Sequence, residues 1–173
     1  MDMENVTTAL QDDAMSNLWQ IYFPQGIPGF SGKVELLTLR ADQSFDIPND
    51  TLAKYDIEFQ GIKIPKTSSK EDTTKEFTLS FRVDVNWEVY NALRVWWLQS
   101  FDPVTGIYFG EAETRRDLII RNFGPGITRP TKKQIKFNGT KIFDLKTGTF
   151  DHTSEQPVRC EAQFIYAYKT EEI

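Results

Sequence analysis

Between Lys75 and Trp97 the chain changes its hydrophobic rhythm once. Phe77, Leu79, Phe81, Val83 and Val85 alternate with Glu76, Thr78, Ser80, Arg82 and Asp84. That period of two predicts a strand with one buried and one polar face. From Asn86 the period becomes helical. Val89, Tyr90, Leu93, Trp96 and Trp97 share one face of a helix over about 87–100, with Asn86 as its N-cap and Glu88 in the first turn. Val95 and Leu98 fall on the other side, beside Arg94, and are expected to point away from the core.

The same reading predicts further strands over 17–25, 33–41, 52–66, 117–123, 133–145 and 158–169. Tyr55, Ile57 and Phe59 alternate with Lys54, Asp56, Glu58 and Gln60, and Gly61 interrupts them as at a bulge or bend. The last strand alternates through Val158, Cys160, Ala162, Phe164, Tyr166 and Tyr168. Residues 1–16 read as an arm, 42–50 as turns around Pro48, and 61–74 as an extended polar loop. About seven strands and one substantial helix predict a mainly β chain. The expected architecture is an antiparallel two-sheet sandwich or small barrel flanked by that helix.

The chain has 173 residues, which suits a single domain spanning 1–173. At this size roughly 70% of the unfolded surface can be buried without staples. A net charge of −5, with Lys and Arg spread along the chain, gives no basic stripe for gripping nucleic acid. The single cysteine, Cys160, excludes an internal disulfide framework and a cysteine-based zinc site, and reads as a small buried hydrophobe. The acidic start is unlike a signal peptide. No apolar run is long enough to span a bilayer as a helix, so no membrane anchoring is expected.

No catalytic constellation emerges. A triad would need His152, but no serine lies in a nucleophile-elbow context, and His152 reads as a solvated loop residue. The paired carboxylates lie in polar segments and read as solvated faces. Catalytic residues, metal ligands and cofactors are therefore expected to be none. What stands out is unblunted polar strand face and outward apolar helix surface, as in a protein that meets copies of itself or a partner. The plainer reading is covered edges and scattered surface apolars.

Read in order, the segments "ENVTTAL…SNLWQIYF", "IEFQGIKIPK", "KEFTLSFRVDVNWEVYNALRVWW", "TRRDLIIRNF", "IKFNGTKIFDL" and "QPVRCEAQFIYAYK" resemble the tail tube proteins of contractile-tailed bacteriophages. Type VI secretion needle proteins and the tubes of phage-tail-like bacteriocins share that fold. The resemblance covers the chain from end to end and rests on order, spacing and length; no single segment is a signature.

The resemblance implies a virion protein, assembled in the host cytoplasm, whose hexameric rings stack into a tube. Its implied partners are itself, a tail sheath protein, and baseplate and tail-terminator proteins. DNA and a tape-measure protein would occupy the lumen without specific binding. Lumen candidates are Asp56, Glu58, Thr78, Ser80, Arg82 and Asp84, then Glu161 and Gln163. Acidic and small neutral side chains would let a duplex slide; Arg82 fits only if paired with Asp84 or Glu58. Lys63, Lys66, Lys70, Glu71 and Asp72 are candidates for contacts between subunits or rings, and Arg94, Val95 and Leu98 for a sheath-facing outer wall. A baseplate-proximal tube initiator, a secretion needle and a bacteriocin tube remain alternatives, and a β-sandwich ligand-binding module competes from a different class.

Overall fold

The computed structural model describes residues 19–32, 34–41, 46–71, 73–124, 130–148 and 156–172. Among these described residues eight strands run in the order β1 (Trp19–Tyr22), β2 (Leu52–Phe59), β3 (Ile62–Glu71), β4 (Glu76–Arg82), β5 (Arg116–Phe123), β6 (Thr131–Thr147), β7 (Arg159–Ile165) and β8 (Tyr168–Glu172), with three helices between them: α1 (Glu35–Arg40), α2 (Glu88–Ser100) and the single-turn α3 (Glu111–Thr114). All strand pairings are antiparallel.

Strand β6 is shared. Its first half lies between β5 and β8, and its second half pairs with β7, which pairs in turn with β4. One sheet is therefore β1-β5-β6-β8 and the other β6-β7-β4. The two form a bent sandwich, not a closed barrel. The bend falls at Gly139, whose φ of 63° is left-handed and suits glycine. Its N–H donates to Asp117 Oδ1 at 3.1 Å, and its carbonyl accepts from an Arg115 guanidinium nitrogen at 2.8 Å. The inward parity of β6 shifts there, from Ile135 and Phe137 to Ile142.

The long last strand breaks for the same reason. It pairs with β6 throughout, so it turns where β6 turns, at Tyr166–Ala167, and becomes β7 and β8. Tyr166 is buried, but Tyr168, next in the alternation, is exposed.

The core sits between the sheets and under α2. It gathers Phe77, Leu79 and Phe81 of β4, Cys160, Ala162 and Phe164 of β7, and Val89, Ala92, Leu93 and Trp96 of the helix. Trp96 is fully buried, and its indole N–H donates 2.8 Å to the carbonyl of Thr114 in α3. This bond ties the helix to α3, and α3 is tied to the bend. The Glu111 carboxylate accepts from Arg115 and, at 2.9 Å, from Lys141, and Arg115 holds the Gly139 carbonyl.

Several expectations are corrected. The strand expected over 33–41 is replaced by the helix Glu35–Arg40. Periodicity does not separate the two in a short apolar run, and Glu35, Leu36, Leu37 and Arg40 are good helix formers. Leu37 enters the core, and the Thr38 hydroxyl donates 2.7 Å to the carbonyl of Ile21. The segment 61–74 is not a loop: most of it is β3, which pairs back on β2 around a Gln60–Gly61 turn with φ of 50° and 77°. Val85 does not extend the inward face of β4, which ends at Arg82, and Val85 is 96% exposed. The arm at 1–16 and His152 lie outside the described residues.

The Glu111 carboxyl is held down at about 2, first by the hydrogen bond from Lys141 and then by that from Arg115. Its ordinary value is 4.5. With the folded value below the unfolded one, its contribution to stability is complete above about 4.5 and is lost as pH falls toward 2. Thermal unfolding followed between pH 7 and pH 2.5 should show Tm falling through this window. In Glu111→Gln, Tm at pH 7 should be lower and the acid decline shallower.

Candidate functional site

The outward face of the β6-β7-β4 sheet is a polar surface built by strand parity. Because Phe77, Leu79 and Phe81 enter the core, Thr78, Ser80 and Arg82 must point out. Cross-strand pairing places Gln163 beside Thr78, Glu161 beside Ser80 and Arg159 beside Arg82. On the far side of β7, Asp144 stands beside Gln163 and Lys146 beside Glu161. Five of the lumen candidates, Thr78, Ser80, Arg82, Glu161 and Gln163, thus share one face. The face carries charges of both signs in adjacent columns, where acidic and small neutral side chains, with Arg82 the exception, were expected. A cleft of 460 Å³ opens on it between residues 46–49 and Glu76, Thr78, Ser80 and Glu161. Its 46–50 wall is pinned by the buried ammonium of Lys169, 2.9 Å from Asp50 and 3.0 Å from the Pro48 carbonyl.

Asp84 does other work. It lies past the end of β4, and its carboxylate accepts from the backbone N–H groups of Asn86, at 3.1 Å, and Val89, at 3.0 Å. Burial pushes its carboxyl up, but the backbone N–H groups outweigh this and its pKa is lowered. The start of α2 is therefore held by Asp84, not by an Asn86 side-chain cap. Among the described residues Arg82 forms no ion pair with Asp84 or Glu58, and its cross-strand neighbour is Arg159.

Asp56 and Glu58 lie on β2, in a hairpin with β3 that makes no substantial packing contact with the other described strands and helices. The subunit alone does not bring them to the polar sheet face. The hairpin is two-sided. Ile57 stands beside Ile64, and Phe59 beside Ile62. With Tyr55 they form an apolar stripe whose members are 39–66% exposed. Glu58 and Lys63 pair on the opposite face, whereas Lys66 stands beside Tyr55 on the apolar one. Glu71 makes a 3.1 Å ion pair with Lys75 at the hairpin base. Lys70 belongs to β3, and Asp72 lies outside the described residues.

The presumed outer residues are partly covered. Val95 and Leu98 are half-buried, not outward. Gly29 explains the first: a Cβ there would stand 3.0 Å from Val95 Cγ1 and 2.6 Å from Gln99 Nε2, so the missing side chain lets the 26–32 loop close on the helix. Arg94 lies over the Trp97 ring, 4.6 Å from its centroid.

Two features escaped the sequence reading. One is the clamp around Glu111. The other is the 101–108 tip, where Phe101, Val104, Ile107 and Tyr108 are 49–91% exposed. Apolar residues set between the turn-formers Asp102, Pro103 and Gly106 were the available signal.

Chemistry remains sparse. Among the described residues no group of three His, Cys, Asp or Glu side chains could hold a metal ion. Cys160 is buried, and that burial pushes its thiol up to about 11.

Comparison with solved structures bears on the whole architecture. A chain from the tube-terminating cap of an anti-feeding prophage superposes with a TM-score of 0.63 at 15% identity, covering 94% of this chain and 93% of that one. A chain from the sheath/tube terminator of a PVC extracellular contractile injection system, in its extended state, gives 0.64 at 10% identity, covering 95% and 99%. A type six secretion system protein gives 0.52 at 9% identity, covering 88% and 81%. The chain has the tail-tube fold. No family model and no curated protein sequence matches it.

If Asp84 serves the helix, Asp84→Ala should destabilise the fold by about 1 kcal/mol, the usual cost of a lost cap. Ser80→Ala, on the polar face, should change stability by less than about 0.5 kcal/mol. Chemical denaturation midpoints of the two variants provide the comparison.

Proposed function

We propose that this protein is a structural subunit that assembles with copies of itself into the tube of a contractile tail or injection particle. The observation that carries the proposal is the β2–β3 hairpin. A two-stranded hairpin is at best marginally stable by itself in water, yet this one holds an apolar stripe away from its own core. A second copy supplies the missing surface. The full-length match to chains from sheath and tube assemblies supports the same reading.

In the assembled state six subunits form a ring and rings stack. The open edges at β1, β4 and β8 meet neighbouring subunits and no longer face water. The polar face bearing Thr78, Ser80, Arg82, Glu161 and Gln163 lines the lumen, with Asp56 and Glu58 supplied by the hairpin. Its alternating charges favour passage of DNA over retention, because no run of cations accumulates to replace phosphate counterions. A sheath protein covers the outside, baseplate and terminator proteins close the ends, and a tape-measure protein fills the lumen before ejection. The role is structural and needs no catalysis.

A ring at one end of the tube is the second reading. The similar structures include a tube-terminating cap and a baseplate.

Negative-stain electron microscopy across a concentration series tests the proposal. Rings or hollow rods are expected. Small monodisperse particles at the highest concentration would remove the repeating-subunit reading. Ile62→Asp should abolish rods while shifting the monomer Tm by no more than about 2 °C, because Ile62 is 66% exposed in the subunit.

A further inference from the structure

We infer that the apolar stripe of the hairpin docks onto the 101–108 tip of a second copy of this chain, with Lys66 of one copy facing Glu113 of the other. The inference rests on the tube reading and names the partner surface that reading leaves open.

The tip is built to be met. Asp102 fastens it from both ends: its N–H donates 3.0 Å to the Ile107 carbonyl, and its own carbonyl accepts from Gly106 at 2.8 Å. Its carboxylate accepts from the Val104 N–H at 2.9 Å and the Thr105 hydroxyl at 2.6 Å. A turn held this tightly presents its apolar side chains at little further entropic cost. Val104 is 91% exposed, with Phe101, Ile107 and Tyr108 around it. Tyr108 also serves its own chain, its hydroxyl donating 3.3 Å to Glu111 and its ring centroid lying 5.5 Å from Lys141 Nζ, and Val104 is the most exposed of the four.

Head-to-tail assembly requires two different, complementary patches on one chain, because a patch that binds itself closes a dimer and stops. The hairpin stripe is flat and the tip is a knob. The remaining large exposed apolar residues, such as Leu39 and Val85, stand singly along the chain.

Charge points the same way. Lys66 is a cation on the apolar side of the hairpin, beside Tyr55. Glu113 is exposed just beyond the tip. Among the described residues neither takes part in an ion pair. A ribbon of this length presents a face of roughly 25 by 10 Å. A standard interface buries about 800 Å² per partner, so this contact is one anchor within a larger ring interface.

The buried Cys160 leaves the chain silent toward thiol reagents, so introduced cysteines report cleanly. Ile62→Cys carries one tag and Val104→Cys another; the two are mixed, allowed to assemble, and treated with a short flexible bismaleimide. The expected product is a doubly tagged dimer that requires both cysteines and appears only in assembled material. Rods without that product would overturn the inference and leave the tube reading standing. An Ile62→Cys homodimer in particles that never grow would overturn both.

Charge exchange gives a second arm independent of those variants. Lys66→Glu and Glu113→Lys should each raise the concentration needed for rods by about tenfold, the scale of one charge-assisted contact. The double exchange should restore it. Failure of the double variant to recover would equally overturn the pairing.

Discussion

Strand β6 belongs to both sheets, and the other elements take their places from where it turns at Gly139. One half is locked to β5 and β8, and the other to β7. The turn sets the inward parity of each half, and with it which side chains of β7 and β4 become core and which become surface. The groups that hold the turn are Asp117, Arg115 and, through Arg115 and Lys141, Glu111. The same short helix accepts the Trp96 indole. Bend, helix and core are thereby one cooperative unit, and the polar face inherits its geometry from them.

The hairpin obeys a different constraint. Its strands satisfy each other's backbone groups, but its apolar stripe remains in water. The energetic gain from burying such surface is proportional to the area removed from water, and in the lone subunit that area stays exposed. The sandwich is stable from its own core. In the proposed assembly the hairpin's stability is deferred to association, a separation that would let the chain fold first and polymerise afterwards.

In the inferred contact the tightly turned tip at 101–108 would complement that arrangement. Its order comes from Asp102 and its turn hydrogen bonds, independent of the core, so its side chains are free to face outward. A flexible presentation of the same residues would lose binding free energy to ordering.

The amino-acid sequence by itself determined the strands whose faces differ sharply. β4 and β7 were legible because one side of each is core and the other water, and α2 because a broad apolar face repeats every 3.6 residues. Those local periods also gave the outward parity of Thr78, Ser80, Glu161 and Gln163, whereas the order, spacing and length of the segments carried the resemblance to tube proteins. Tertiary structure alone decided the rest. Whether 35–40 became helix or strand depended on Leu37 finding the core. Where the last strand broke depended on its partner bending at Gly139. Asp84 left the polar face because unpaired N–H groups at the start of α2 needed an acceptor. Val95 was covered because Gly29 allowed a distant loop to close. Periodicity reports only which face of an element seeks burial; which neighbour buries it depends on contacts between residues far apart in the chain.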